Sequence, residues 1–439
     1  MTISKVRLLS IVAVIVLFVL SWYTLIEESV SNSIKYNEYL NIARDKAKYE
    51  MYDDALANYQ QALGMKDTLE LRLEIAQFYY DYKQMDSYVG YCEGIMNDYP
   101  YDAAGYEKSV EYFKSVSDFE HCYTLLNTAK KRKVESEYLN KTYNELAYKF
   151  ELTYKKFENV GIFSGGYCAV KKNDGYWGFV DVKGNTSISF KYVDVDNFNA
   201  QGLAAVKNQE DKFVLVNTSG VVKHVDIDKK AIEDCGLLAE DLMPVKYNGK
   251  YHYCDIDFKE KFGNYDYAGA FNQGVAAVKE GENWFVINNK GEKVSDATYS
   301  DIKVDGKGIA FRNGIAFAKK NDKYIMIDTN CKQIGSLTFD DACVFASEQP
   351  AAVKSGDKWG FVNTNGELVV KYTYGNAKSF INGFAAVAEN NRWGYIIVED
   401  YSLKIEYSFD EALDFTNAGT TIVKSDGNWS FLKLYRLSN

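Results

Sequence analysis

The chain has 439 residues, 47% of them hydrophobic and only three of them proline, which allows two or three domains with an ample core and excludes a largely disordered protein. Lys and Arg number 51 against 61 Asp and Glu, a net charge of -10. That balance argues against a general nucleic-acid binder, because phosphate contacts need clustered cations on a positive face.

The first element is an uncharged, mostly apolar run from Leu8 to Ile26. As a helix it would reach about 28 Å, close to the thickness of a bilayer's hydrocarbon. Lys5 and Arg7 precede it, Glu27 and Glu28 follow it, and Trp22 and Tyr23 sit near its far end. This pattern predicts a transmembrane helix at 8–26, a cytoplasmic stub at 1–7 and the rest of the chain outside the cell. A cleaved signal peptide is the rival reading, but the run is long for one and no Ala-x-Ala site follows.

Residues 30–150 change to a helical period. Tyr52 to Leu63 carries Ala55, Tyr59 and Ala62 on one face, small residues that let a second helix approach while the ring fills the groove. This resembles the second helix of a tetratricopeptide unit, with its partner at Tyr39 to Tyr49. Weaker copies hold Ala76, Tyr79, Tyr91 and Ile95 up to Pro100, then Tyr123 and Ala129. A plain helical stalk or bundle is the alternative.

From 151 to 439 one unit is written repeatedly. Phe163, Phe198, Phe271, Phe345, Phe380 and Phe415 open copies, with Cys235 and Gly308 at two weaker joints. A second aromatic follows in each, at Trp177, Phe213, Tyr251, Trp284, Tyr324, Trp359, Trp393 and Trp429, giving eight units about 36 residues apart. Short apolar runs such as Gly202 to Val206 and Gly383 to Val387 read as buried strands, and a polar turn then leads into a second strand. Gly184, Gly220, Gly291 and Gly366 mark another turn before a third strand, so each unit is predicted as a three-stranded meander.

Ala-Ala-Val-Lys followed by Lys-Trp-Gly-Phe-Val, at 351–354 and 358–362, resembles the WG-repeat family over about residues 150–439. The pair itself stands at Trp177-Gly178, Trp359-Gly360 and Trp393-Gly394; elsewhere Val214, His252, Phe285, Ile325 or Ser430 replaces the glycine. The resemblance implies a β-repeat module common in bacterial proteins and implies no reaction. The last unit stops at Asn439, and Tyr154 to Phe163 looks like its missing piece, so the array is predicted to close as an all-β propeller. An open β-solenoid is the alternative.

Reaction chemistry is sparse. His121, His224 and His252 are scattered, no cysteine pair has metal-site spacing, and no glycine-rich phosphate loop occurs, so no catalytic residue, metal or cofactor is expected. Cys168 and Cys254 replace small core residues, Cys235 an opening Phe and Cys331 a turn Gly, which predicts free thiols. Asp174, Asp181, Asp255, Asp257 and Asp357 fall at turns or strand ends, where local hydrogen bonding suits Asp. Lys171, Lys207, Lys246, Lys279, Lys319, Lys354 and Lys424 recur at the end of the first strand, with Ala388 the exception. They could form an anion- or glycan-contacting ring, or end a buried strand because the stem packs while the ammonium reaches water.

Together these features predict a membrane-anchored, surface-displayed, non-catalytic protein that binds a protein, peptide or cell-wall glycan. A hydrolase with a central propeller site, or a structural subunit of an envelope complex, is the alternative.

Overall fold

The computed structural model describes residues 5–153, 156–199, 201–223 and 232–435, without the side chains of 5–13, 24–26 and 28. The chain divides into two compact units, Met1–Ala147 and Tyr148–Asn439.

The first unit is helical. Its opening helix, α1 (Lys5–Lys48), is continuous, so the helix expected at Tyr39 to Tyr49 is the end of a much longer one. Nothing in the sequence breaks it, since no Pro or Gly occurs before Gly64. Among the described residues no helix is long and apolar enough to cross a membrane. Of the expected span 8–26, only Ser21 and the exposed apolar residues Val14 to Leu20, Trp22 and Tyr23 have described side chains, a stretch too short to cross.

Helices α2 (Tyr52–Met65), α3 (Leu69–Asp81), α4 (Met85–Asp98), α5 (Ala104–Ser115), α6 (Phe119–Lys131) and α7 (Glu137–Leu146) follow. Ala55, Tyr59 and Ala62 pack against Leu40 and Ala43 of α1 and Leu71, Ile75 and Phe78 of α3. The turns inside the first three helix pairs each place one residue, Glu50, Lys83 and Ser117, in the left-handed region, so the same turn recurs after 33 and then 34 residues.

The second unit is an eight-bladed β-propeller. Blade 6 shows the plan: a two-residue inner strand (Asp341–Ala342), a hairpin (Ala351–Ser355 and Lys358–Val362) and an outer strand (Leu368–Tyr374). Seven sheets have four strands, one more than the expected three, because the linking segment pairs with the hairpin as the inner strand. The fourth blade has three, and its outer segment pairs only at isolated points such as Trp284 with Tyr299.

Each blade buries both faces against its neighbours. Ala169 and Phe179 of blade 1 pack on Ala204 and Val206 of blade 2, and equivalent apolar layers lie between every successive pair. The layer from blade 8 back to blade 1, with Phe157, Cys168, Val170, Ile422 and Phe431, closes the ring and rules out the open solenoid. The closing strand differs from the expected Tyr154 to Phe163. Phe150–Leu152 pairs with the last strand, Phe157 bridges Trp429, and Asn159–Ser164 already belongs to blade 1. Tyr154 and Lys155 lie outside the described residues, as does His224.

Two unit openings also shift. Cys235 sits on an inner strand, and Leu238 fills the buried aromatic position. In blade 5 that position is Phe311, not Gly308, because Ile302 and Phe311 stand nine residues apart where Ala342 and Phe345 stand three apart. The extra six residues enter the channel.

The Trp-Gly pair has a local cause. In blades 1, 6 and 7 two steps along the hairpin strand, such as Trp359 to Phe361, match four along the outer strand, Tyr374 to Val370. This bulge turns an outer carbonyl inward. A Cβ at Gly360 would lie 2.5 Å from the Val370 carbonyl oxygen, and one at Gly178 2.7 Å from that of Ile188; Gly394 faces Ile405 in the same way. In blade 3 His252 replaces the glycine and the outer strand carries Gly263 beside it.

Gly360→Ala should therefore lower propeller stability by about 1–3 kcal/mol, whereas Gly90→Ala, in open space within α4, should be neutral or stabilising. Urea unfolding followed by tryptophan fluorescence for Gly360 and by circular dichroism for Gly90 checks both. Phe157→Ala, which empties the closing layer, should cost about 3–5 kcal/mol, and an unchanged urea midpoint would show that closure does not stabilise the ring.

Candidate functional site

The seven recurrent lysines fall on one cross-strand row. In blade 6 the row reads Asp341, Lys354, Trp359, Tyr374, and in blade 5 Asp301, Lys319, Tyr324, Phe339. Each lysine is partly buried between an inner-strand residue, most often acidic, and the ring of the second aromatic. Lys424 lies 2.9 Å from Glu411 and 5.4 Å from the Trp429 ring centre. Lys207 pairs with Asp211 at 2.6 Å and lies over Phe213, and Lys246 is 3.8 Å from Glu233 and lies over Tyr251. Lys171 stands opposite Asn159 and Trp177, and Lys279 opposite Tyr267 and Trp284. Charge pairing and ring contact together account for a lysine at this point of the repeat.

The signature tryptophans are wedges between blades: Trp177, Trp284, Trp359, Trp393 and Trp429 each join an inter-blade layer. The turn carboxylates act locally. Asp181, Asp255 and Asp328 each accept backbone N–H groups two and four residues on, and Cys331 takes the left-handed turn position with φ 64°. All seven cysteines are free, five of them buried. Among the described residues no group of three His, Cys, Asp or Glu is placed to hold a metal ion.

The chemistry that gathers is in the channel. Blade 5's extra segment crosses it: the Gly306 carbonyl accepts from Asn197 Nδ2 at 3.3 Å, and the Gly308 carbonyl accepts from the Ala270 N–H at 2.8 Å. Ile309 packs with Leu237 and Ala270. The channel is thereby divided, leaving an off-centre cavity of about 740 Å³ lined by blades 1, 5, 6, 7 and 8, and two smaller ones of about 450 and 230 Å³ on the other side.

The large cavity collects Lys303, Asp305, Lys307, Arg312, Asp341, Lys378 and Asp414. Arg312 grips Asp305 through Nε at 3.1 Å and Nη2 at 2.5 Å, and Lys303 holds Asp341 at 2.8 Å. Asp414 is exposed at the cavity wall yet surrounded by the blades, and the desolvation this brings pushes its carboxyl above the ordinary range against the pull of Lys378. Burial, helped by Arg312, lowers the Lys307 ammonium. In the smallest cavity Asp196 is pushed up to about 6, chiefly by burial, with Asp234 and Asp194 adding to it.

Sequence reasoning passed over these groups because they obey no repeat. They did leave a signal. The two residues before each opening aromatic are Gly161-Ile162, Asp196-Asn197, Gly269-Ala270, Cys343-Val344, Lys378-Ser379 and Leu413-Asp414, a pair that changes character in every unit. At least one residue of each pair lines a channel cavity.

The WG containing repeat matches residues 151–176, 177–213, 261–284, 284–324 and 359–393, all within the propeller. Solved structures similar to the chain include BamB from Moraxella catarrhalis, at 13% identity and a TM-score of 0.42 over 63% of this chain and 93% of that one. Hsv2p from Kluyveromyces lactis is similar at 10% identity and 0.38, over 56% and 97%. The Cps50 (Swd1) β-propeller domain of Myceliophteria thermophila is similar at 13% and 0.33, over 56% and 96%. No curated protein sequence matches the chain.

Asp196 gives a pH test. Its folded value of about 6 lies above the ordinary 3.8, so its stabilising contribution is complete below pH 3.8 and is lost as pH rises through 6. The charged form should cost up to about 3 kcal/mol at pH 7. Asp196→Asn should therefore melt higher than the parent at pH 7, with the difference closing near pH 4 in thermal melts; a pH-independent difference would contradict the assignment.

Proposed function

We propose that this is a non-catalytic binding or scaffold protein whose propeller receives a segment of a protein or peptide partner in the off-centre channel cavity. The observation that carries this reading is the cavity itself, to which five blades contribute side chains and whose volume suits a small ligand or a chain end. Two of its three carboxylates, Asp305 and Asp341, are held by cations, so they serve as fixed polar contacts rather than as an acid and base pair. The helical unit supplies a second docking face, and the recurrence of its turn after 33 and 34 residues supports a tetratricopeptide-like reading. The apolar run 8–26 supports a membrane anchor with the rest of the chain displayed outside the cell.

A hydrolase is the second reading. Asp414 favours it, as an enclosed carboxyl with a raised pKa beside carboxylates from two other blades.

The test uses the full-length protein in detergent and a library of fluorescent peptides followed by anisotropy. Selective binding that is lost in Asn417→Trp, which fills the cavity mouth from an exposed position, is the expected result. Hydrolysis of a substrate that Asp414→Asn abolishes without lowering the melting temperature would replace the binding reading with the enzymatic one. Protease added to intact cells should cut the propeller, and full protection would refute outside display.

A further inference from the structure

The channel cavity is not electrically neutral in its free groups. Four cations and three carboxylates line it, but Arg312 is committed to Asp305 by two hydrogen bonds and Lys303 to Asp341 by one ion pair. Among the described residues no carboxylate lies within ion-pair distance of the Lys307 or the Lys378 ammonium. Two ammonium groups thus face one enclosed carboxyl, Asp414, in a chain whose overall charge is -10.

The fold takes some trouble to put Lys307 there. It rides on the six-residue extension that only blade 5 carries, and that extension is pinned on both sides. Asn197 holds the Gly306 carbonyl, Ala270 holds the Gly308 carbonyl, and the Asp305 carboxylate accepts the Lys307 and Ile309 N–H groups at 2.8 and 3.0 Å. A Cβ on Gly306 would come into ordinary contact, 3.4 Å, with the end of the Ile162 side chain across the channel. Lys307 lines all three cavities that surround the extension. Lys378, from blade 7, lines the large cavity and lies 5.7 Å from the Trp393 ring centre.

We propose that Lys307 and Lys378 form an anion pocket that takes a carboxylate of the bound peptide, an inference that rests on the binding reading above and names the chemistry of its ligand. A half-buried ammonium short of counter-charge gains most when an anion arrives, since the anion both pairs with it and replaces lost water. The low position of Lys307 and the high position of Asp414 have the same origin in burial, and a bound carboxylate relieves the first. Asp305, Asp341 and Asp414 in the same wall repel a doubly charged anionic group, which favours a singly charged carboxylate over a phosphate at the pocket. The cavity's 740 Å³ admits the acidic end of a chain.

The experiment measures anisotropy of fluorescein-labelled triglutamate, trialanine amide and trilysine amide with the full-length protein in detergent. Triglutamate should bind, the other two should not, and affinity should fall at least about tenfold from 50 to 500 mM salt. Lys307→Gln with Lys378→Gln should weaken triglutamate at least about tenfold, while Lys307→Arg should keep binding and all variants should keep the parent melting temperature. Competition by free glutarate at equal concentration would show that the pocket serves a small carboxylate and would overturn the peptide assignment. If the library peptides bind, are blocked by Asn417→Trp and ignore the double glutamine variant, the carboxylate inference fails while the binding reading stands. If no peptide binds the parent protein at all, both fall together.

Discussion

The propeller depends on a single constraint: a four-stranded sheet with two apolar faces has no stable existence until both are covered. Each blade here solves this by lending one face to each neighbour, and the debt passes round the ring until blade 8 must find blade 1. The chain meets that need with its own two ends. Phe150–Leu152 completes the last sheet, and Phe157 drops between Cys168 and Phe431, so no edge strand is left open at the seam. Ring closure therefore couples residues almost three hundred positions apart, and the interior layers stand or fall with it.

The repeated letters are the ones that this constraint writes. A ring at the opening position fills the gap between blades, and a tryptophan further on wedges the next. A glycine after that tryptophan is demanded where an outer-strand carbonyl turns in against it, as Ile188, Val370 and Ile405 do against Gly178, Gly360 and Gly394. The lysine row has the same character. An ammonium between an acidic inner strand and an aromatic ring is held from both sides, so its recurrence reflects the geometry of one blade, and a common ligand is not needed to explain it.

This explains what could be read from the sequence and what could not. The eight units, their hairpins and the turn glycines follow from spacing and local chemistry, and the chain shows them plainly. The inner strand was hidden because two residues such as Asn376–Ala377 carry no period of their own. The closing strand Phe150–Leu152 lies before the stretch from Tyr154 to Phe163 that looks like a linking segment, and three residues carry no repeat signature by which spacing alone could find them. Blade 5 opens at Phe311 and not at Gly308 because an insertion shifts the frame within that blade, which in the sequence looks like decay of the repeat. Helix α1 hid its length for the opposite reason, since an apolar run and a polar run joined without a breaker look like two elements.

The site lies where regularity stops. A residue used in every blade is answerable to packing, and any substitution there is felt by two neighbours. In the pair before an opening aromatic the first residue's N–H bonds the hairpin of its own blade, a backbone contact that any residue except proline can make, so the side chains vary as Gly-Ile, Asp-Asn, Lys-Ser or Leu-Asp. An eight-bladed ring leaves a wide hole on its axis, and blade 5 reduces that hole to a pocket of molecular size by spending six residues across it. Symmetry builds the wall; the departures from it, Lys307, Lys378 and Asp414 among them, give the wall a chemistry that one blade alone could not assemble.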